Sequence, residues 1–137
     1  MSGADGRRLA VDAVTALRIL RDDPRIGERH RLVGPAVLRS DVLARLYGEV
    51  RRGALSESAG RAQLEGLASL KIRLLGDRVS RATAWRLARQ LDWDDVSPAE
   101  YLAVATLQAD ALVAGDPAIA AAAAGICDLA DYRELHR

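Results

Sequence analysis

Apolar residues along the chain follow two alternating patterns. Short unbroken runs suit strands, and runs recurring every three or four residues suit one face of a helix. Arg8 to Val11 reads as a first strand ended by Asp12, and Val14, Leu17 and Leu20 then mark a helix over Ala13 to Leu20. The polar segment Arg21 to Arg31, broken by Pro24 and Gly27, predicts a surface loop with His30 solvated in it. Leu32 and Val33 form a short strand leading through Gly34 and Pro35 into a helix over Ala36 to Arg52. Its stripe is Leu38, Val42, Leu46 and Val50, strengthened by Leu43. Gly53 closes that helix, Ser56 caps the next, and Leu64 and Leu67 mark its buried side, giving a hairpin over 36–69. Gly60 and Gly66 weaken its second arm, which then depends on tertiary or partner contacts.

Ile72 to Leu75 predicts another strand, and Asp77 caps a helix carrying Ala84, Leu87, Ala88 and Leu91 at helical spacing. Beyond the acidic link Asp92 to Asp95, the stretch SPAEYLAVATLQ predicts a helix. Ser97 would be its N-cap, Pro98 its first residue and Glu100 the return partner of a capping box. Its apolar residues lie on nearly every face, as in a helix covered on most sides. Ala111 to Ala114 suits a central strand buried on both faces, stopped by Gly115, Asp116 and Pro117. An alanine helix to about Ala124, a strand over Ile126 to Leu129 and a polar tail complete the chain.

Strands alternating with helices imply right-handed crossovers and a mainly parallel sheet with helices on both faces, a three-layer α/β/α fold. Residues 1–137 form one domain, with neither repeat nor linker. No run is long enough to span a bilayer, and the opening MSGADGRRLAV lacks the core of a signal peptide, which predicts a cytoplasmic protein with no membrane partner. The single cysteine, Cys127, reads as a buried small hydrophobe and excludes any disulfide framework within one chain. The net charge of +1 gives no global pull toward nucleic acid. The basic residues are nonetheless all arginine except Lys71, which suits phosphate recognition and equally fits a genome-wide composition bias.

The candidate chemistry lies in the acids, because the chain has no glycine-rich phosphate loop, HExxH, CxxC pair or GxSxG elbow. Asp12 and Asp116 each follow a predicted strand, where open α/β sheets bind ligands, and each could equally be the N-cap of the helix that follows. Asp41 lies beside the stripe of its helix, open to an i, i+4 ion pair with Arg45. Adjacent parallel strands would bring Asp12 and Asp116 to one edge, with Asp41 supplied from the side. Three clustered carboxylates repel one another unless a cation sits between them, and hard oxygen ligands select Mg²⁺ or Mn²⁺. Such an ion activates water and stabilises a pentavalent phosphate, the use made of acid clusters in nucleases.

The ordered set LAVDAVTALRIL, GPAVLRSDVLARLY, WDDVSPAEYLAVA and ALVAGDPAIA resembles the PIN-domain family, specifically VapC-like toxins, over about Arg8 to Leu129. The resemblance implies a metal-dependent endoribonuclease of a type II toxin–antitoxin pair, with Asp12, Asp41 and Asp116 as catalytic and metal-binding residues. It also implies an RNA substrate, a cognate antitoxin seated on the helical hairpin, and a homodimer. Arg18 or Arg39 would contact phosphate. Departures from the pattern are Pro98 where the family usually has an acid, Asp41 in place of a longer glutamate, and Val14 and Ala114 in place of flanking polar residues. Glu100, two positions on from Pro98, points to a different helix face. These departures support a second expectation, a PIN-fold binding module that has lost catalysis. A third is an unrelated α/β domain whose acids are only caps.

Overall fold

The structure is a computed structural model that describes residues 7–137; the polar segment before Arg7, part of the stretch read for a signal peptide, lies outside the described residues. Strand β1 spans Arg8–Val11, β2 Arg31–Pro35, β3 Arg73–Leu75 and β4 Ala111–Val113. They form one sheet in the order β3-β2-β1-β4, and every pairing is parallel. Helices α1 (Ala13–Asp22), α2 (Ile26–Arg29), α3 (Leu38–Arg51), α4 (Glu57–Ser69), α5 (Arg78–Gln90), α6 (Ser97–Gln108) and α7 (Pro117–Ala123) fill the connections, with a 3₁₀ turn over Tyr132–His136.

From β1 the chain steps outward through β2 to β3, then returns to the far side of β1 as β4. Right-handed crossovers therefore put α1 and the α3–α4 hairpin on one face and α5 and α6 on the other. The packing agrees: α1 meets α3 and α4, while α6 lies across β1, β2 and β4 with α5 against it. This is the three-layer α/β/α architecture. Helix α6 is buried along Ala99 and Tyr101 to Ala105, which explains its apolar residues on nearly every face. The small alanines let it sit close to the sheet, and β4 is buried throughout. No helix among the described residues is long and apolar enough to cross a membrane.

Several local expectations are corrected. The segment after α1 is not simply a surface loop, because Ile26 anchors the short helix α2 in the core at 0 % exposure. Gly27 is required there because a Cβ would run into the backbone carbonyl of Lys71. His30 is half-buried rather than solvated, and its Nε2 is enclosed with no hydrogen-bond partner among the described residues. In α3 the buried stripe is Leu38, Val42 and Leu46, whereas Leu43 is half-exposed and Val50 only partly covered. Leu43 is one position off the i, i+4 row that faces the core. Across the hairpin, Leu67 is buried, while Leu64 lies with Leu43 and Tyr47 along an open groove.

The predicted Ile126–Leu129 strand reduces to one bridge, Leu129 to Leu112. It is tied by the Leu112 N–H to the Asp128 carbonyl and the Ala130 N–H to the Leu112 carbonyl. The Ser97 capping box does not form: Ser97 lies inside the helix, and its N–H donates to the Asp95 carboxylate instead. Cys127 is half-buried, and burial pushes its thiol up, in keeping with a hydrophobe rather than a nucleophile.

Candidate active cleft

At the carboxyl edge of the sheet, β1 and β4 lie side by side with Val11 opposite Val113, and the chain leaves them in different directions. That is the topological switch point, where open α/β sheets bind ligands. A cleft of about 640 Å³ opens there, and Asp12, Asp41 and Asp116 all line it, together with Pro98, Tyr101 and Arg45.

Asp12 is fully buried and performs two tasks at once. As N-cap of α1 its Oδ1 accepts the Thr15 N–H at 2.9 Å. Its carboxylate also accepts the Gly115 N–H, at 2.9 Å to Oδ2, and the Asp116 N–H at 2.9 Å. Thr15 adds a second tie, its hydroxyl donating to the Val113 carbonyl at 2.8 Å. One carboxylate thus joins the start of α1 to the turn after β4. The turn comes this close only because residue 115 is glycine: a Cβ there would stand 2.7 Å from Val14 Cγ1 and 3.2 Å from the Thr15 nitrogen.

Asp116 caps α7, its Oδ1 accepting the Ala118 N–H at 2.8 Å, while Oδ2 faces the Arg45 guanidinium at 3.3 Å. Asp41 is held by the buried Tyr101, whose hydroxyl donates to it at 2.6 Å. Burial, and then the hydrogen bond to Asp41, push the Tyr101 phenol far above its usual range, so it stays a donor. Arg45 therefore does not close the i, i+4 pair with Asp41; it reaches across to Asp116. Glu100 lies outside the lining of the cleft, and burial followed by the Asp41 charge raises its carboxyl above the ordinary glutamate value.

The cap reading and the shared-edge reading of Asp12 and Asp116 are therefore both correct. The donor chemistry suits a hard divalent cation, three carboxylates facing one concavity. In this arrangement no three acidic, histidine or cysteine side chains among the described residues are grouped closely enough to hold one ion, and the guanidinium of Arg45 supplies the positive charge instead. Pro98 lines the same cleft, so the position where the resemblance implies an acid is apolar. Neither arginine proposed for phosphate lines it: Arg18 stacks 3.8 Å from the centre of the Tyr132 ring beside Asp22, and Arg39 lies elsewhere on α3. The cations that do line it are Arg21, Arg45 and Arg52, with Arg21 paired to Glu49 at 3.0 Å. Tyr101 is the residue that sequence reasoning passed over, and Arg45 was read there only as a partner for Asp41. A lone phenol on an otherwise apolar helix was the available signal for Tyr101.

No family model matches the chain, and no curated protein matches it. Among solved structures it is similar to the crystal structure of PAE2754 from Pyrobaculum aerophilum, at a TM-score of 0.75 and 22 % identity, over 97 % of this chain and 95 % of that one. At that identity the similarity establishes the fold and nothing further.

Proposed function

We propose that this chain is a VapC-like PIN-domain endoribonuclease, the toxin of a type II toxin–antitoxin pair acting in the cytoplasm, with Asp12, Asp41 and Asp116, too far apart to share an ion in this arrangement, drawn together on Mg²⁺ or Mn²⁺ when it binds. The observation that supports it is the common address of these three acids. They come from the ends of two adjacent parallel strands and from a helix beside them, and they share one cleft at the switch point. When bound, such a cation supplies Lewis acidity to a phosphoryl oxygen and acidity to a coordinated water. The chain's own residues supply the rest. Asp12 is fixed by backbone N–H groups, and Tyr101 aims Asp41. Arg45, partly exposed on a weak ion pair at 3.3 Å, can leave Asp116 for a phosphate oxygen. The apolar groove of Leu43, Tyr47 and Leu64 on the α3–α4 hairpin suits an amphipathic antitoxin segment or a second copy of the chain.

A second reading, a PIN-fold binding module without catalysis, is favoured by Pro98 on the cleft wall and by Arg45 standing as counter-ion to Asp116. Mn²⁺-dependent cleavage of structured and single-stranded RNA, run beside Asp116→Asn and Pro98→Asp, separates the two. Cleavage abolished by Asp116→Asn supports the nuclease. An inert parent that Pro98→Asp switches on supports the binding module and refutes catalysis by the natural chain.

A further inference from the structure

The opposite, amino-terminal edge of the sheet carries a second depression of about 750 Å³, lined by Arg8, Arg29, His30, Arg31, Lys71 and Arg73, with Glu28 the one acid. Its charge follows from the strand register. Each of β1, β2 and β3 begins with an arginine: Arg8, Arg31 and Arg73. Arg8 pairs with Arg31, and Arg73 pairs with Val33, two residues beyond Arg31. Because side chains alternate along a strand, all three arginines stand on one face of the sheet, on neighbouring strands about 4.8 Å apart. All three are exposed, as is Lys71, and none of the four forms a salt bridge among the described residues. Like charges placed side by side in this way repel one another and cost stability. Arg29 alone is paired, to Asp23 at 2.9 Å.

His30 adds an independent observation. It lines the same depression, and its Nε2, enclosed in this structure, has no hydrogen-bond partner among the described residues. The Gly27 contact with the Lys71 backbone fixes the two walls against each other.

We infer that this edge is a binding site for the sugar–phosphate backbone of a single-stranded RNA, separate from the acidic cleft and independent of its chemistry. Unpaired guanidiniums in a row neutralise successive phosphates, and no Phe, Tyr or Trp lines the depression, so the contacts it offers are mainly ionic. Contact is therefore to the backbone and carries no base preference.

The test is fluorescence anisotropy of the full chain with a labelled oligouridylate of about 12 nucleotides, in EDTA so that no cleavage intervenes, over a salt series. Arg31→Gln combined with Arg73→Gln is expected to weaken binding about tenfold at low salt and to lower the slope of log K against log salt by about 1.4, since each single-strand phosphate contact contributes roughly 0.7. An oligoadenylate of equal length is expected to bind with similar affinity. Unchanged affinity and slope in the variant overturn the proposal. So does loss of binding to phosphatidylserine vesicles with RNA binding intact, which would make the edge a membrane surface. The urea midpoint of the variant is the folding control, expected equal to or above the parent's because repulsion is relieved. Failure of RNA cleavage by the parent leaves this result untouched.

Discussion

Asp12→Ala should unfold the protein far more than it would if Asp12 were only a surface ligand. The carboxylate accepts three backbone N–H groups, from Thr15, Gly115 and Asp116, at 2.9 Å each at the shortest. Losing a helix N-cap costs about 0.5 to 2 kcal/mol. Leaving a buried donor without an acceptor costs about 1 to 3 kcal/mol. The Gly115 and Asp116 bonds are only part-buried, which holds each to the lower half of that range, so the substitution is expected to cost about 2.5 to 6 kcal/mol. A domain of ordinary stability holds only about 5 to 15 kcal/mol in total. Urea denaturation, with midpoint and slope fitted separately, is the assay, and Asp116→Asn is the internal comparison. Asparagine keeps an oxygen for the Ala118 N–H and gives up only the partly exposed pair with Arg45, worth about 1 kcal/mol or less. A cost for Asp12→Ala below about 1 kcal/mol would refute the view that this carboxylate is a structural tie. The comparison also bears on function, since activity lost in Asp12→Ala is uninterpretable without it, whereas activity lost in Asp116→Asn is not.

Gly115→Ala should cost about 1 to 3 kcal/mol through its clash with Val14, and Val14→Ala should restore most of that in a double-mutant cycle; equal costs in both backgrounds would place the strain elsewhere. Glu100 has a folded-state pKa raised by burial and by Asp41, so its ionised form opposes folding, and the favourable contribution lies below the ordinary value of 4.5 and is lost as pH rises through the folded value. Glu100→Gln should therefore raise the thermal midpoint at pH 7 and lose that advantage in acid; a lowered midpoint at neutral pH would contradict the sign. Tyr132, pushed up to about 12 by burial and by its bond to Asp22, favours the fold while protonated, so stability should fall as pH rises from its ordinary 10.0 through about 12, and the fall should shrink in Tyr132→Phe. Arg45→Gln should tighten Mn²⁺ binding measured by calorimetry, because the resident counter-ion of Asp116 is gone; unchanged affinity would show that Arg45 does not compete with metal.

Much of the architecture was legible because short apolar runs and helical stripes are set by burial, which sheet position and helix face impose over many residues at once. The Leu9 to Val11 and Ala111 to Val113 runs are buried on both sides, as their unbroken apolarity implied. What misled was decided by single contacts. Ser97 is a good cap by type, yet Asp95 takes its amide, and nothing local distinguishes the two. Ile126 to Leu129 has strand composition, but the β4 edge accepts only one residue of pairing beside Leu112. His30 sits among polar neighbours, and the single Ile26 in that segment gives no periodicity to show that it is buried in the core. At the cleft, Asp12 and Asp116 were legible from the strands they follow. The choice of Arg45 between Asp41 and Asp116 was not, because it depends on the distance between α3 and the β4 turn, a tertiary quantity.

The Asp12 tie also bears on when the cleft comes into being. Its bonds to Gly115 and Asp116 close loops of 103 and 104 residues, and the Arg8 amide is likewise bonded to the Asp110 carboxylate, 102 residues away. Contacts of such separation form late, because the entropy of closing the loop must be met before they return anything. During synthesis β1 emerges first and can pair with β2, but one flank stays open until nearly the whole chain has left the ribosome. The last strand to arrive completes the sheet, fills the acceptors of Asp12 and brings Asp116 to the cleft in one step. A nascent chain thus carries two of the three acids and no site.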